Sequence, residues 1–293
     1  MLDASSVVKR YALVIPALNE GSTIRDVTLQ ALQYVDNVII VNDGSIDETS
    51  QTLTDLPVTV LTNTTTMGKA ASLWIGFQHA IQAGAQVVVT IDGDGQHAPE
   101  DIPRILAVAD AWDGILILGK RLRKDWRSTL SIRVLANRVA DFWISWAAGY
   151  WIADSQSGFR VYPVSLLQQL TIKHGRKESF VFESEVLIEA AKLGVRSVSV
   201  NIQARPPQGI RPSHFRPIVD IFRITKMVAW RLFSRGMYLR GLFQLFSSYS
   251  VTPTSPHVPF NGTPSHITLE PLSHSRDLDY KENRENTRKH QVP

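Results

Sequence analysis

The stretch VVVTIDGDGQH, residues 87–97, joins a predicted strand to a predicted chemical site. Its first five residues are apolar or β-branched, which is typical of a strand buried on both faces of a parallel sheet. Asp92 and Asp94 follow on either side of a glycine, and Gln96 and His97 come next. Two carboxylates at this spacing can place their oxygens around one hard cation. We therefore expect Asp92, Asp94 and Gln96 to hold Mg²⁺ or Mn²⁺.

Similar units of a strand and a helix surround this stretch. Short apolar runs predict strands at 12–16, 38–42, 58–61, 87–91 and 115–118. Helical patterns lie between them at 22–34, 47–54, 68–83 and 99–111, and Ser45 with Glu48 predicts a capping box for the second helix. Alternation of strands and helices predicts an α/β fold with a mostly parallel central sheet and right-handed crossovers.

Two further polar loops follow predicted strands, and both contain acidic residues. The first is PALNE, from Pro16 through Asn19 to Glu20, and the second is NDGS at 42–45, which contains Asp43. The carboxyl ends of parallel strands share one edge of a sheet, where ligands bind, so the acids of the three loops can converge there. An Asp-Gly pair alone is common turn chemistry. The order of all three loops together favours a binding site, in which Asp43 accepts hydrogen bonds from a base edge or a ribose.

The pattern changes after residue 120 and suggests three parts of the chain. A helix is predicted at 129–148, a loop at 154–158, a helix at 183–193 closed by Gly194, and a strand at 195–202. Residues 215–248 have the pattern of one or two amphipathic helices with interleaved basic and aromatic residues. The last 43 residues contain six prolines and many polar groups, which favours disorder. We expect a catalytic domain at 8–205, basic amphipathic membrane-surface helices at 206–250 and a disordered tail at 251–293.

Composition narrows the chemistry and the partners. The 293 residues include no cysteine, which excludes disulfides, cysteine nucleophiles and zinc–thiolate sites. The net charge of +4 is modest, but residues 120–138 hold seven basic residues and one acid, and residues 205–240 hold eight and one. Basic surface of this kind suits phosphates or anionic lipid. No segment reaches the ~20 apolar residues of a membrane span, so we expect a cytoplasmic protein, peripheral at the cytoplasmic face of the membrane, with no nucleic-acid partner.

Taken together, these motifs resemble the inverting family 2 glycosyltransferases of GT-A fold, and specifically the dolichyl- or polyprenyl-phosphate sugar synthases. The resemblance covers about residues 10–225 in the order that this family shows. Its motifs are VIPALNE (14–20), NDGSIDET (42–49), GKA (68–70), DGDGQH (92–97), GKR (119–121), SGFR (157–160) and FESE (182–185).

The resemblance implies a role for each matching residue. It implies donor contacts at Pro16, Asn19, Glu20, Asp43, Lys69 and Asp92, with metal or diphosphate contacts at Asp92, Asp94 and Gln96. It implies acceptor-phosphate contacts near Arg121, Ser157 and Arg160. The catalytic candidates are then Asp94, Arg121, Arg160 and Glu185. The expected partners are a nucleotide-sugar donor, a lipid-linked phosphate acceptor and a membrane surface.

A phosphate acceptor and a hydroxyl acceptor need different side chains in the site. A phosphate acceptor is already ionised at neutral pH and needs cations such as Arg121 and Arg160 to hold it. A hydroxyl acceptor, as in envelope glycolipid or polysaccharide synthesis, needs a carboxylate base, for which Asp154, Glu183 and Glu185 are candidates. The family commonly has Gln where this chain has Glu183. A nucleotidyltransferase, or a non-catalytic anion-binding module at the membrane surface, remains as an alternative.

Overall fold

Seven strands form the central sheet of the computed structural model. They are β1 (Tyr11–Ala17), β2 (Val38–Asn42), β3 (Thr59–Thr62), β4 (Val87–Thr90), β5 (Leu116–Leu122), β6 (Arg160–Pro163) and β7 (Ser197–Gln203). Their order across the sheet is β3-β2-β1-β4-β6-β5-β7. Among these seven strands β6 alone runs antiparallel to its neighbours, β4 and β5. The expected α/β fold with a mostly parallel sheet is therefore confirmed.

The structure describes residues 10–122, 132–172, 181–206, 225–230, 232–233 and 238–247. Its α-helices are α1 (Ile24–Ala31), α2 (Lys69–Gln82), α3 (Ile102–Ala111), α4 (Ile132–Ala148), α5 (Val164–Leu167), α6 (Phe182–Lys192) and α7 (Leu239–Ser247). Residues 225–230 are also helical. The tail expected at 251–293 lies outside the described residues.

Alternating side chains of the strands bury two separate hydrophobic layers. In β1, Ala12 and Val14 face the layer that contains Phe77 of α2 and Ile144 of α4. Leu13 and Ile15 face the opposite layer, which contains α1 and α3. Because both faces are covered, the strand is apolar along its length, as its sequence indicates. Pro16 is tolerated in this central strand because β4 pairs with β1 only as far as Val14.

One local prediction was wrong, and one strand was not predicted. The segment 47–54 forms a loop with a single 3-10 turn at Gln51–Leu53 instead of a helix. Its predicted capping residue, Ser45, accepts a hydrogen bond at Oγ from the backbone N–H of Asn19. Strand β6 was missed, since it has only four residues and ends in a proline. This strand joins the two parallel parts of the sheet and places the loop before it beside β4.

The C-terminal segments pack on α4 through one apolar side. Val228, Leu232 and Leu245 are buried in the layer that α4 faces, and Trp146 Nε1 donates to the Tyr238 carbonyl at 3.3 Å. Leu239, Phe243 and Phe246 point the other way and are exposed, as Trp230 and Phe233 also are. Within the described parts of the chain, we find no helix with the length and apolar character that crossing a membrane requires.

Candidate active site

The first two acidic loops interlock at the carboxyl edge of the sheet. Asn19 has a left-handed backbone, with φ of 55°. Its Oδ1 accepts the backbone N–H of Ile46 at 2.8 Å, while its own N–H donates to Ser45 Oγ at 2.8 Å. Asn tolerates this backbone region better than most residues do. Asn19 therefore fixes the loop after β1 against the loop after β2. The sequence had predicted only a contact between Asn19 and the nucleotide sugar, and not this structural role.

The third loop packs against the first. Thr23 Oγ1 donates to the Gly93 carbonyl at 2.7 Å, and a Cβ placed on Gly93 would lie 3.4 Å from the Pro16 carbonyl oxygen and 3.6 Å from Glu20 Cγ. Glu20 also donates its backbone N–H to Thr49 Oγ1 of the second loop at 2.8 Å. The structure thus brings together the three loops that the sequence placed at one edge.

Asp43 is buried and held by donors of the protein. Its side chain is 3% exposed. Its Oδ1 accepts from Asn63 Nδ2 at 2.9 Å and from the Met67 N–H at 2.8 Å, and its Oδ2 accepts from the Gly68 N–H at 2.7 Å. Three protein donors thus hold the carboxylate, and its contact with a base or a ribose stays a prediction. Asp43 fixes the loop that leads into α2.

Lys69, the first residue of α2, links the third acidic loop to α6. Its Nζ lies 2.6 Å from Asp92 Oδ1 and 3.0 Å from Glu183 Oε1. His97 Nε2 lies 3.5 Å from the other oxygen, Asp92 Oδ2. Burial by itself would raise the pKa of Asp92, but the charge of Lys69 and the contact with His97 outweigh it and hold that pKa well below its usual range. Burial by itself would lower the pKa of Lys69, but the two carboxylates raise it.

Asp94 and Gln96 form the remaining part of the expected metal site. Gln96 donates its backbone N–H to Asp94 Oδ1 at 3.0 Å and its side-chain amide to Oδ2 at 2.6 Å. Gln96 therefore orients Asp94 through its two nitrogens. These contacts do not involve its amide oxygen Oε1, and the role of that oxygen as a metal ligand stays a prediction. Burial and the neighbouring charge of Asp92 raise the pKa of Asp94. This concentration of negative charge on hard oxygens fits a divalent cation.

The protein alone does not complete a metal site in the part that the structure describes. There, no group of three or more His, Cys, Asp or Glu side chains is arranged to hold an ion. A divalent cation keeps open positions for substrate oxygens when only one or two carboxylates hold it, as is common for Mg²⁺ at phosphate-transfer sites. Asp92 and Asp94 therefore fit a metal whose coordination a diphosphate completes.

Arg121, at the end of β5, pairs with Asp154 across the site. Its Nε and Nη2 donate to the two carboxylate oxygens at 2.8 and 2.6 Å, and its backbone N–H donates to Oδ2 at 2.9 Å. Burial would lower the pKa of Arg121, but Asp154 raises it, and the charges of Asp92 and Glu183 add to this rise. Arg121 is thus held close to the acidic edge. Asp154 adopts a left-handed backbone, with φ of 54°, a conformation that is often found at functional sites.

Arg160, which was predicted to bind the acceptor phosphate, is directed at backbone carbonyls inside the protein, and its contact with the acceptor stays a prediction. Its side chain is 0% exposed. Its Nε donates to the Ser157 carbonyl at 2.8 Å, its Nη1 to the Glu183 carbonyl at 2.7 Å, and its Nη2 to the Ser155 carbonyl at 2.6 Å. Ser157 is also fully buried. The guanidinium therefore joins the loop before β6 to the first turn of α6 from inside the protein.

Two residues that sequence reasoning missed hold the same loop against Asp92. Asp141 of α4 accepts the Ser155 N–H at 2.8 Å and the Ser155 hydroxyl at 2.5 Å. Burial raises the pKa of Asp141 to about 6. Gly158 lies so close to Asp92 that an added Cβ would lie 2.7 Å from the carboxylate carbon. The glycine in the SGFR motif was a visible signal of close approach, whereas nothing in the sequence linked Asp141 to the loop.

The end of β7 supports the third acidic loop from the other side. Arg205 donates its backbone N–H to the Gln96 carbonyl at 2.9 Å, and its guanidinium pairs with Glu100. Asp101 accepts the Gln203 N–H at 2.6 Å. These contacts were not predicted. Glu185, a catalytic candidate, lies half-buried in the first turn of α6, two residues after Glu183.

Comparison with known proteins agrees with these motifs. A family model described as Glycosyl transferase family 2 matches residues 12–171. The UDP-N-acetylglucosamine–dolichyl-phosphate N-acetylglucosaminyltransferase of Methanococcus voltae is 31% identical over an alignment of 205 residues, and the match covers 63% of this chain and 81% of that protein. The undecaprenyl-phosphate mannosyltransferase of Micrococcus luteus is 27% identical over an alignment of 214 residues, and the match covers 66% of this chain and 82% of that protein.

A solved structure confirms the expected GT-A fold. Glucosyl-3-phosphoglycerate synthase from Mycobacterium tuberculosis, crystallised with Mn²⁺, UDP and glucosyl-3-phosphoglycerate, aligns with a TM-score of 0.56 at 23% identity. The alignment covers 78% of this chain and 80% of that one. At this level of identity the likeness concerns the fold.

Proposed function

The chain belongs to glycosyl transferase family 2 and is a glycosyltransferase, and we propose that it moves one sugar, with inversion, from a nucleotide sugar to a polyprenyl phosphate or a related lipid phosphate. Two of its relatives are named for transfer to dolichyl phosphate and undecaprenyl phosphate. Family membership argues against the two alternatives from other classes, a nucleotidyltransferase and a non-catalytic binding module.

The donor side of the proposed reaction rests on the interlocked loops. Asp92 and Asp94 would hold Mg²⁺ or Mn²⁺, which when bound neutralises charge on the departing diphosphate. The loop that contains Pro16, Asn19 and Glu20 lies at the same edge of the sheet, where it packs on Gly93 and on Ser45. This packing keeps the loops in one arrangement before substrate binds. The entropic cost of ordering them on binding is therefore lower.

One observation favours a phosphate acceptor over a hydroxyl acceptor. Two of the three carboxylates that could act as a base for a hydroxyl acceptor are held in ion pairs: Asp154 by Arg121, and Glu183 by Lys69. A carboxylate with an oxygen held by a fixed cation is less available to contact a hydroxyl acceptor. A phosphate acceptor is already anionic at neutral pH and needs no base. We propose that Arg121 binds the acceptor phosphate, because a guanidinium can donate two hydrogen bonds to it.

The acceptor experiment compares a polyprenyl phosphate with the corresponding polyprenol. We expect labelled sugar from UDP- or GDP-sugars to appear on the phosphate and not on the alcohol. Arg121→Gln should raise the acceptor KM, whereas Arg25→Gln serves as a matched control because Arg25 makes a similar bidentate pair with Asp55 on the surface. Transfer to the polyprenol alone would instead support the hydroxyl acceptor, with Glu185 as the remaining candidate base.

A lipid acceptor requires the enzyme to reach a membrane, and the C-terminal apolar face offers the contact. We define this face as Trp230, Phe233, Leu239, Phe243 and Phe246, of which Trp230 is 74% and Phe243 75% exposed. In α7 its members stand four and three residues apart, which places them on one side of the helix. The opposite side packs on α4, so this face is not needed for the core.

We propose that an anionic bilayer surface covers the C-terminal apolar face. Lys226 and Arg240 are exposed, four residues before Trp230 and three residues before Phe243, and basic residues near anionic lipid contribute about 1 kcal/mol each. Aromatic side chains suit the membrane interface because they combine an apolar ring with a compact shape. This arrangement fits the proposed peripheral position at the cytoplasmic face and the proposed division into a catalytic domain at 8–205 and surface helices at 206–250.

Cosedimentation with vesicles tests the membrane contact. The full chain should bind phosphatidylglycerol vesicles in a salt-sensitive way, and Phe243→Ser with Phe246→Ser should weaken binding by about tenfold or more. Leu29→Ser with Leu193→Ser is the control, since these leucines are exposed outside the face. Equal binding by all variants, or none by the wild type, would overturn the membrane assignment. Dimerisation without vesicle binding would mean that a second copy covers the face.

A further inference from the structure

Lys69 occupies the position between two carboxylates from different parts of the chain. Its ammonium contacts Asp92 from the loop after β4 and Glu183 from the first turn of α6, at 2.6 and 3.0 Å. A divalent cation held by Asp92 and Asp94 would take an oxygen of the Asp92 carboxylate, and Lys69 already contacts one of its two oxygens, Oδ1. The ammonium therefore stands where it competes with a metal for Asp92.

The fold holds Lys69 and Glu183 in place from behind. Asp43 binds the N–H groups of Met67 and Gly68 and thereby fixes the start of α2, where Lys69 is the next residue. Gly68 has φ of 96°, a backbone conformation that favours glycine. On the other side, Arg160 binds the backbone carbonyl of Glu183. The backbone that carries each partner of the ion pair is therefore fixed.

We propose that Lys69 competes with a divalent cation for Asp92, and that binding of a nucleoside diphosphate relieves this competition, so that metal and donor bind cooperatively. The proposal rests on the metal-dependent donor site of the proposed function. The proposal goes beyond that function because it assigns the coupling between metal binding and nucleotide binding to one side chain, Lys69. A diphosphate offers the ammonium a different anionic partner and also supplies oxygen ligands that Asp92 and Asp94 lack.

Linkage makes this coupling measurable in both directions. If UDP raises the affinity for Mn²⁺ by some factor, Mn²⁺ raises the affinity for UDP by the same factor. Removing the competing ammonium should strengthen Mn²⁺ binding without nucleotide more than Mn²⁺ binding with nucleotide. The coupling factor then falls, which a role for Lys69 in stability alone would not produce.

The experiment measures Mn²⁺ binding by electron paramagnetic resonance, with and without UDP or GDP. In the wild type we expect the nucleotide to raise Mn²⁺ affinity by about tenfold or more, since a unit charge a few ångströms from the ion weakens binding by at least that order. Lys69→Met and Lys69→Gln should bind Mn²⁺ about tenfold more tightly than the wild type without nucleotide. Lys69→Arg should keep the wild-type coupling because it keeps the charge.

Controls separate local competition from a general change in charge. Lys192→Met removes a lysine that pairs with Glu189 at the end of α6, and its Mn²⁺ binding should match that of the wild type. Adding Asp92→Asn to Lys69→Met should abolish the gain, because the freed ligand is then missing.

The possible failures are distinguishable. Equal Mn²⁺ affinity of the wild type with and without nucleotide, or an unchanged coupling factor in Lys69→Gln, overturns the competition and leaves the proposed function standing. The wild-type comparison is decisive even where a Lys69 variant does not fold. Absence of Mn²⁺ binding by the wild type with both UDP and GDP overturns the proposed metal-dependent donor site, and the competition with it.

Discussion

Replacing Gly158 by alanine tests directly how tightly the loop before β6 is packed on the acidic edge. The new Cβ would lie 2.6 Å from Asp92 Oδ1 and 2.7 Å from its Cγ, whereas ordinary contacts begin at 3.4 Å. The glycine backbone is held in place, because its carbonyl accepts a hydrogen bond from Thr90 Oγ1 at 2.8 Å. Asp92 Oδ2 would lie closer still, so the carboxylate must retreat by about 1 Å from the position in which it contacts Lys69.

The expected magnitudes follow from this displacement. Overpacking by one methyl group in a tight site costs about 1–3 kcal/mol of unfolding free energy. A shift of about 1 Å in a substrate-positioning group can lower turnover about 100-fold. Urea unfolding measures the first effect and steady-state transfer of labelled sugar measures the second. We expect Gly158→Ala to lose much more activity than its loss of stability explains.

Gly194→Ala provides the matched control for Gly158→Ala. Gly194 has φ of 79° and no atom within 4 Å of its added Cβ, so the substitution costs about 1–2 kcal/mol of backbone strain far from the site. Its kcat should stay at the wild-type value. If Gly158→Ala loses no more activity than Gly194→Ala at similar stability, the carboxylate of Asp92 is not positioned by this contact and the reasoning fails.

Three further substitutions test the site and its support. Asp94→Asn should fold normally but lose about 100-fold or more in kcat, since a neutral amide is a poor ligand for a hard cation; full turnover by the folded variant would contradict the metal role. Arg160→Lys should lower the unfolding free energy by about 1–3 kcal/mol, because an ammonium cannot satisfy all three carbonyls; a higher acceptor KM at unchanged stability would instead place Arg160 at the acceptor. Asp141 binds a proton more tightly when folded, with a pKa of about 6, so its contribution to stability is present below about pH 4 and is lost as the pH rises to about 6. The Asp141→Asn variant lacks this titration, and its unfolding free energy relative to wild type should rise by about 1.4 kcal/mol between about pH 5 and about pH 7.5; a flat difference would contradict the assignment.

The sequence predicted the parts of the fold that depend on side-chain type. Strand β2 at Val38–Asn42 and helix α6 at Phe182–Lys192 agree with the predictions to within a residue, because continuous apolar runs and helical periodicity directly reflect burial. Strand β6 was missed because four residues that begin with Arg160 and end with Pro163 have neither pattern. Its place in the sheet comes from its neighbours β4 and β5.

The sequence placed the acidic residues at one edge but could not identify the partners of Asp43 and Arg160. Both side chains were expected to meet substrate, since a carboxylate and a guanidinium suit nucleotides and phosphates. Their partners turn out to be mostly backbone groups of distant segments, such as the Gly68 N–H and the Glu183 carbonyl. Every residue carries such groups, so residue identity gives no sign of which ones a buried charge will find.

Two cations near the site are paired with carboxylates, and under the proposed function this pairing would affect how substrates bind. Lys69 holds Asp92 and Glu183, and Arg121 holds Asp154. A diphosphate or a phosphate that binds here exchanges one anionic partner of these cations for another, and no buried charge is left uncompensated during that exchange. The electrostatic part of the binding free energy is then the difference between the free energies of two ion pairs, one with the ligand and one with the internal carboxylate. Such an arrangement favours selectivity for anionic groups of the right geometry over raw affinity, because a ligand with poorer geometry than the internal carboxylates does not displace them.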